Sequence, residues 1–183
     1  TPVYINGNAS STTLPALYGL RYDGTSQATV TKQSEIGTAW GVAYQRDTRK
    51  LYVAGAVKRH SGLGPLGLGG VYTITGANTA TPVSAAFVDL DAAPYNINFG
   101  TLPGNSARFL PATVTTPNTD TLAFGAAGTQ GIGDIDLSAD GNTLWVVNLF
   151  NRSLVQLGVS GGVPATTATE YLLSNLGAPT CTG

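Results

Sequence analysis

The sequence is poor in the residues on which many protein functions depend. It has 183 residues, with no Met, one His, one Cys and only 10% charged residues, and its formal net charge is -1. No basic face is visible, so the composition gives no electrostatic case for binding nucleic acid or an anionic membrane. No apolar run reaches the ~20 residues that a helix needs to cross a bilayer. The single cysteine, Cys181, cannot form a disulfide within the chain, and its role stays open.

The chain begins with Thr1 and has no Met, which indicates a processed or excised piece. We therefore expect it to be a fragment of a larger protein. What the sequence does contain is 24 Gly and 10 Pro, together with much Thr and Ser. This composition favours many short strands and turns over long helices. It predicts an all-β protein, and the low charge suits an exported one.

Residues 133–148 carry the clearest structural pattern. Ile135 and Leu137 alternate with polar residues, which is the period of a half-buried strand. Asp140-Gly141 then predicts a hairpin turn, because Gly supplies the positive φ that such a turn needs. The run from 144 to 147 (Leu-Trp-Val-Val) is suited to a buried second strand.

A second copy of this unit lies earlier in the chain. Leu51 aligns with Leu144, and the same offset of 93 residues aligns Val42 with Ile135 and Arg59 with Arg152. A constant offset over strand, turn and strand indicates an internal repeat.

Each copy is followed by two further candidate strands. Four antiparallel strands per unit is the blade of a β-propeller, so the sequence predicts a partial propeller of two full blades and a leading piece. We expect a leading arm and hairpin over residues 1–35 and one domain of two blades over 36–183. A long excursion between the blades is expected at about 91–128.

Residues 138–148 and 152–157 resemble the YVTN-type β-propeller repeat. They share its Ser-x-Asp-Gly turn, its Leu-aromatic-Val strand and a polar turn into a strand that is similar to its Val-Ile-Asp strand. Residues 40–44, 58–70 and 133–136 are similar to segments in the propeller region of large bacterial surface proteins. Those proteins often carry SdrD-B-like or other adhesin modules. The resemblance implies a secreted or surface-anchored bacterial protein and supplies no catalytic residues.

Three carboxylates form a candidate cation site. Asp134 and Asp136 are two residues apart on one strand, and Asp140 follows in the turn, so together they could supply oxygen ligands for Ca²⁺. Turn chemistry and strand alternation account for the same residues without a metal. We expect an architectural role and no cofactor, with calcium as the alternative.

Four side chains are candidates for a binding face: Lys58, Arg59, His60 and Arg152. The first three open a Gly-rich loop at 61–70. A phosphate-binding loop is followed by Lys-Ser/Thr and the N-terminus of a helix, whereas a strand follows this loop, so we do not expect it to bind phosphate. His60 is the only histidine and has no spaced partners for general-base catalysis. We expect these side chains to bond backbone carbonyls or neighbouring Asp residues.

Aromatic side chains lie on several of the candidate strands: Trp40, Tyr44, Tyr52, Tyr72 and Trp145. We expect most of them to pack between blades. A sugar-binding face is the alternative.

The sequence thus favours a non-enzymatic extracellular module of a bacterial surface protein, with a structural, adhesive or partner-binding role. Its partners would be other blades or chains that complete the propeller, or a surface protein or glycan. One alternative is a lactonase- or oxidoreductase-like propeller enzyme with a metal in its channel. Another is a subunit of a self-assembling filament or shell, because exposed strand edges template pairing with other chains.

Overall fold

A computed structural model describes residues 1–177, so Cys181 lies outside the described residues. The prediction of an all-β protein with antiparallel sheets is confirmed. The ten strands are β1 (Pro15–Leu20), β2 (Gln27–Lys32), β3 (Ala39–Gln45), β4 (Lys50–Gly55), β5 (Gly70–Thr75), β6 (Val83–Asp89), β7 (Ile132–Leu137), β8 (Thr143–Asn148), β9 (Ser153–Gly158) and β10 (Ala168–Leu172).

The helices of the described residues are short. One α-helical turn, α1 (Gln33–Ile36), connects β2 to β3, and 3₁₀ turns occur at Ala9–Ser11, Gly67–Gly69, Thr121–Ala123, Ser160–Gly162 and Leu173–Leu176. No helix in residues 1–177 has the length and apolar character needed to span a bilayer.

The strands form a hairpin and two four-stranded sheets. Strands β1 and β2 pair with each other, β3 to β6 form the first sheet, and β7 to β10 form the second, each in sequential antiparallel order. The first turn of each sheet is tight. In the second sheet Asp140 accepts hydrogen bonds from the Ser138 hydroxyl (2.5 Å) and the Asn142 amide (3.0 Å), and Gly141 has a φ of +71°.

The two central strands of the first sheet, β4 and β5, are buried on both faces, whereas the outer strands β3 and β6 are partly exposed. Tyr52 and Ala54 of β4 point into a core shared with the second sheet, whereas Val53 packs against the hairpin on the opposite face. This arrangement explains why β4 and β5 read as almost continuous apolar runs. The second sheet instead alternates between buried and half-exposed residues, because only one of its faces is covered.

The two sheets contact each other mainly through β3 and β7. Gly41 on β3 allows a close approach: a Cβ atom at this position would lie 2.8 Å from the Ile135 nitrogen on β7. Gln45 joins the sheets at the other end of β3, where its Nε2 donates to the carbonyls of Gly141 (2.6 Å) and Val159 (3.1 Å).

Residues 90–131 connect the sheets and contain no strand, yet they are part of the core. Leu90, Ile97 and Phe99 are buried in the cluster between the two sheets. The Tyr95 hydroxyl donates to the Ala165 carbonyl at 2.5 Å, which ties the connection to the second sheet. Burial of these apolar side chains gives the connection an ordered path.

Candidate functional site

The two longest connections between strands, β4–β5 and β6–β7, lie at one end of the sheets, which we call the loop end. Because successive strands are antiparallel, β4–β5, β6–β7 and β8–β9 are all joined there, and α1 reaches β3 there. The opposite end has tight turns such as 46–49 and 138–142. Loops held on a rigid scaffold commonly carry binding residues.

A cleft of about 380 Å³ opens at the loop end where β3 and β7 begin, and we call it the loop-end cleft. Its lining is mostly apolar and includes Tyr4, Trp40, Lys58, Ala127, Ile132 and Leu149. The Trp40 and Tyr4 rings are nearly parallel, with their centroids 6.4 Å apart and their planes inclined by 10°. Lys58 Nζ lies 3.5 Å from the centroid of the Tyr4 ring, a cation–π geometry.

Local structure explains how these three side chains come together. The register of β3 shifts between Ala39 and Val42, so that Trp40 lies at an irregularity and is 58% exposed. The N-terminal arm reaches this point along β1, since the Val3 amide donates to the Ala16 carbonyl at 2.9 Å. The arm thereby places Tyr4 on Trp40.

Of the triplet Lys58, Arg59 and His60, only Lys58 lines this cleft, whereas Arg59 and His60 line a smaller neighbouring pocket that shares Tyr4 and Lys58 with it. Arg59 and His60 bind the connection between the sheets. Arg59 Nη2 donates to the Thr119 carbonyl at 2.9 Å, and its guanidinium lies over Phe124. His60 Nδ1 lies 2.7 Å from Asn118 Oδ1. Arg59 therefore bonds a backbone carbonyl, as expected, whereas His60 meets a neutral amide.

Beneath the triplet lies an ion pair that the sequence analysis missed. Arg108 Nη2 is 2.6 Å from Asp120 Oδ2, and both side chains are fully buried. The same nitrogen donates to the carbonyls of Lys58 (3.2 Å) and Ser61 (3.0 Å). This pair anchors the segment carrying the triplet to the connection.

Asp120 is held in its charged form. Burial by itself would raise the pKa of this carboxyl, but hydrogen bonds from Arg108 and from the His60 amide (2.6 Å) outweigh that effect and lower it. A sequence clue to the pair exists: Arg108 and Asp120 are the only charged residues between positions 92 and 133.

The three predicted calcium ligands occupy separate local hydrogen bonds. Asp134 Oδ1 accepts from the Ile135 amide at 2.9 Å, and Asp136 Oδ1 accepts from the Leu137 amide at 2.8 Å. Asp140 caps the turn, and its bonds from Ser138 and Asn142 lower its pKa. Within residues 1–177 no group of three or more His, Cys, Asp or Glu side chains is placed to hold a metal ion.

Arg152 lies apart from the triplet in chain position, in the turn between β8 and β9. Its side chain is exposed, its φ is +53°, and its carbonyl accepts from the Leu173 amide at 3.0 Å.

A second cavity of about 540 Å³ is lined in part by the Gly-rich loop. Asp89 and Asp91 line it. Burial, and to a lesser extent the charge of Asp91, raise the pKa of Asp89. Its Oδ1 accepts from the Asp91 amide at 3.0 Å, so this pair is also part of a local turn.

The aromatic residues divide into two groups. Tyr52 and Tyr72 are buried, as expected for packing residues, and burial raises the pKa of Tyr72 to about 12. Trp40 and Tyr44 are more than half exposed, so the expectation of packing is wrong for them. Trp145 is half-buried and lies beside Tyr171 on the uncovered face of the second sheet.

No protein-family model, curated protein or solved structure matches this chain.

Proposed function

We propose that the chain is a non-enzymatic binding module built from β-propeller blades of the YVTN type, acting in a bacterial surface protein as a structural, adhesive or partner-binding unit. The proposal has two parts, the blade architecture and the place of recognition. Each part is supported by a different feature of the molecule.

Strand register supports the blade architecture. Val42 pairs with Val53 in the first sheet, and Ile135 pairs with Val146 in the second, both 93 residues further on. The pair of Ala39 with Gly55 and the pair of Ile132 with Asn148 obey the same offset. Even the register shift next to these pairs recurs. Two sheets with one strand order, whose first strand pairs share one register and one irregularity, are what a duplicated blade would give.

The direction of packing is the single observation that carries the proposal. Tyr52 and Ala54 of the first sheet face the second sheet and are buried. Their counterparts at the 93-residue offset, Trp145 and Val147, lie on the uncovered face of the second sheet. Successive sheets therefore present equivalent faces in the same direction, as blades around a propeller axis do.

The uncovered face of the second sheet, which we call the outer face, carries apolar side chains and several polar ones. The residues on it are Trp145, Val147, Leu154 and Tyr171 together with Asp136, Gln156 and Thr169. Trp145 packs on Tyr171 with ring centroids 6.3 Å apart, much as Tyr52 packs on Phe87 at 5.0 Å. Other blades, from this protein or another chain, are the partners that this face fits. The same face also favours the second candidate function, a subunit that assembles into a filament or shell.

Recognition is proposed to take place at the loop end. Its cleft presents an exposed indole and the cationic Lys58, with Arg59 beside it. Trp, Tyr and Arg side chains are the ones that recur at binding hot spots. A surface protein or glycan of the extracellular environment is the class of partner. The alternative of a metal-containing propeller enzyme would be favoured by tight stoichiometric metal binding that depends on Asp134 and Asp136.

The blade architecture is tested by replacing Leu154, which lies at the centre of the outer face, with Lys. We expect the 183-residue chain to bind a hydrophobic dye and to self-associate with rising concentration, because its outer face is exposed. Leu154→Lys should reduce both effects, as measured by dye fluorescence and sedimentation velocity. Val163→Lys is the control, since Val163 is 64% exposed and lies outside the strands. A chain that stays monomeric and binds no dye would contradict the proposed packing direction.

A further inference from the structure

The loop-end cleft has a shape suited to one large side chain of a ligand. Its volume is about 380 Å³, and it lies between the starts of β3 and β7, two strands of the sheet scaffold. Trp40 offers a flat surface that is fixed from one side by the Tyr4 ring. A rigid aromatic wall of this kind binds apolar side chains at a small cost in conformational entropy.

Two cationic side chains at or beside the cleft, Lys58 and Arg59, form no ion pair with any described residue. Arg108 with Asp120 is the one ion pair formed within residues 1–177, so neither Lys58 nor Arg59 has a carboxylate partner there. Lys58 instead rests on Tyr4, and Arg59 on Phe124. Asp120 is the carboxylate nearest to the triplet in the structure, and its charge is neutralised by Arg108. The exposed carboxylate of Asp134 follows lining residue Gly133 and lies beside Gly41; it accepts from the Ile135 amide and keeps its negative charge, so it offsets part of the positive charge at Lys58 and Arg59.

The hydrogen-bonding capacity of the cleft lining distinguishes between a sugar and a peptide as the ligand. A pyranose ring presents many hydroxyl groups, each of which needs a hydrogen-bond partner when buried. The lining side chains that can form hydrogen bonds are those of Tyr4, Trp40 and Lys58, and the remainder are Ala, Val, Ile, Leu and Gly. An apolar anchor next to negative charge fits these walls better than a sugar does.

We infer that the loop-end cleft binds an acidic peptide segment, with a large apolar side chain seated on Trp40 and flanking carboxylates facing Lys58 and Arg59. The inference rests on the proposed binding function and names its partner class. The exposed indole supplies the apolar contact, and the two cations select against basic segments.

The probe is the blocked pentapeptide acetyl-Glu-Asp-Phe-Asp-Glu-amide, titrated into the 183-residue chain by calorimetry. We expect saturable binding that weakens as salt is raised, because exposed charges are screened. Two matched peptides test the apolar side chain and the negative charge separately. One has Gly in place of Phe, and the other has Lys and Arg in place of the acidic residues. Both should bind at least about tenfold more weakly, as the loss of an anchor or of charge complementarity predicts.

Variants locate the site. Trp40→Ala and Lys58→Glu should each weaken binding by about tenfold or more. Trp145→Ala removes the other tryptophan, on the outer face, and should leave binding unchanged. Circular dichroism checks that every variant is folded.

The inference is overturned if the acidic peptide does not saturate, if the basic peptide binds equally well, or if Trp40→Ala and Lys58→Glu leave binding intact. Binding of a glucuronate oligosaccharide in place of the peptide would overturn the peptide class while keeping a recognition cleft. The blade proposal is scored separately by Leu154→Lys, so the failure of one is distinguishable from the failure of the other.

Discussion

At the scale of single residues, the buried ion pair of Arg108 and Asp120 is the interaction on which the triplet depends. Its guanidinium bonds the carbonyls of Lys58 and Ser61, on either side of His60, while its carboxylate accepts the His60 amide. The positions of Lys58 in the cleft and of Arg59 beside it are therefore set by a fully buried pair.

Replacing Asp120 with Asn leaves the buried guanidinium without its counter-charge. We expect the free energy of unfolding at pH 7 to fall by about 3–5 kcal/mol, the usual cost of breaking a buried pair. Urea denaturation measures this loss. Asp47→Asn, in an exposed turn, is the control and should change stability by less than about 0.5 kcal/mol.

The same variant has a defined dependence on pH. The pKa of Asp120 is lowered in the folded protein, so its contribution is present above the ordinary carboxyl pKa and is lost as the pH falls through the lowered value. The difference between the native protein and Asp120→Asn should thus shrink below about pH 4. A difference that stays constant down to acid pH would show that the carboxylate charge is not the source of stability.

At the scale of secondary-structure elements, the contact of β3 with β7 sets how closely the sheets approach. Gly41 is the point of closest approach, where an added Cβ would also lie 2.9 Å from Asp134 Oδ1. Any side chain at this position must push the strands apart or distort the Ile135 backbone.

Gly41→Ala is therefore expected to destabilise the fold by about 1–3 kcal/mol, the range for overpacking a close contact. Thermal unfolding followed by circular dichroism measures it. Gly104→Ala is the matched control, because no atom lies within 4 Å of a Cβ there. Equal effects of the two substitutions would mean that backbone entropy, and not the β3–β7 contact, decides the outcome.

The hairpin of β7 and β8 shows what could be predicted from the sequence. Alternation around Ile135 and the Asp140-Gly141 turn are local signals, and local hydrogen bonds and side-chain direction determine them. The cleft could not be predicted from the sequence, because its three side chains come together only in the folded structure. Tyr4 is placed by the N-terminal arm, Trp40 by the register shift of β3, and Lys58 by the connection between β4 and β5. Lys58, Arg59 and His60 were recognised as a group, but their partner Asp120 lies about sixty residues away in a segment without periodicity.

At the scale of the whole molecule, the two sheets and the connection between them share one apolar core. Phe99, from the connection, is fully buried among residues of both sheets. If either sheet or the connection unfolds, the apolar core that all three share is exposed to water. We therefore expect the three parts to unfold cooperatively.

We expect far-UV circular dichroism and tryptophan fluorescence to report one coincident transition. Phe99→Ala should shift both probes together, lowering stability by about 3–5 kcal/mol. Phe109→Ala, at a residue that is 85% exposed, should shift neither. Separate transitions for the two probes would indicate sheets that unfold independently.

Because the cleft lies at the loop end, the protein should be attached to a sensor surface through the opposite end when partner binding is measured. The Thr1 nitrogen donates to the Tyr18 carbonyl at 2.7 Å, so a tag fused there would be attached directly to the arm that carries Tyr4 in the cleft. The turn at 21–26 lies at the far end of the sheets, and Tyr22 within it is fully exposed. A biotin-acceptor sequence inserted in that turn would immobilise every molecule with its cleft pointing away from the sensor surface.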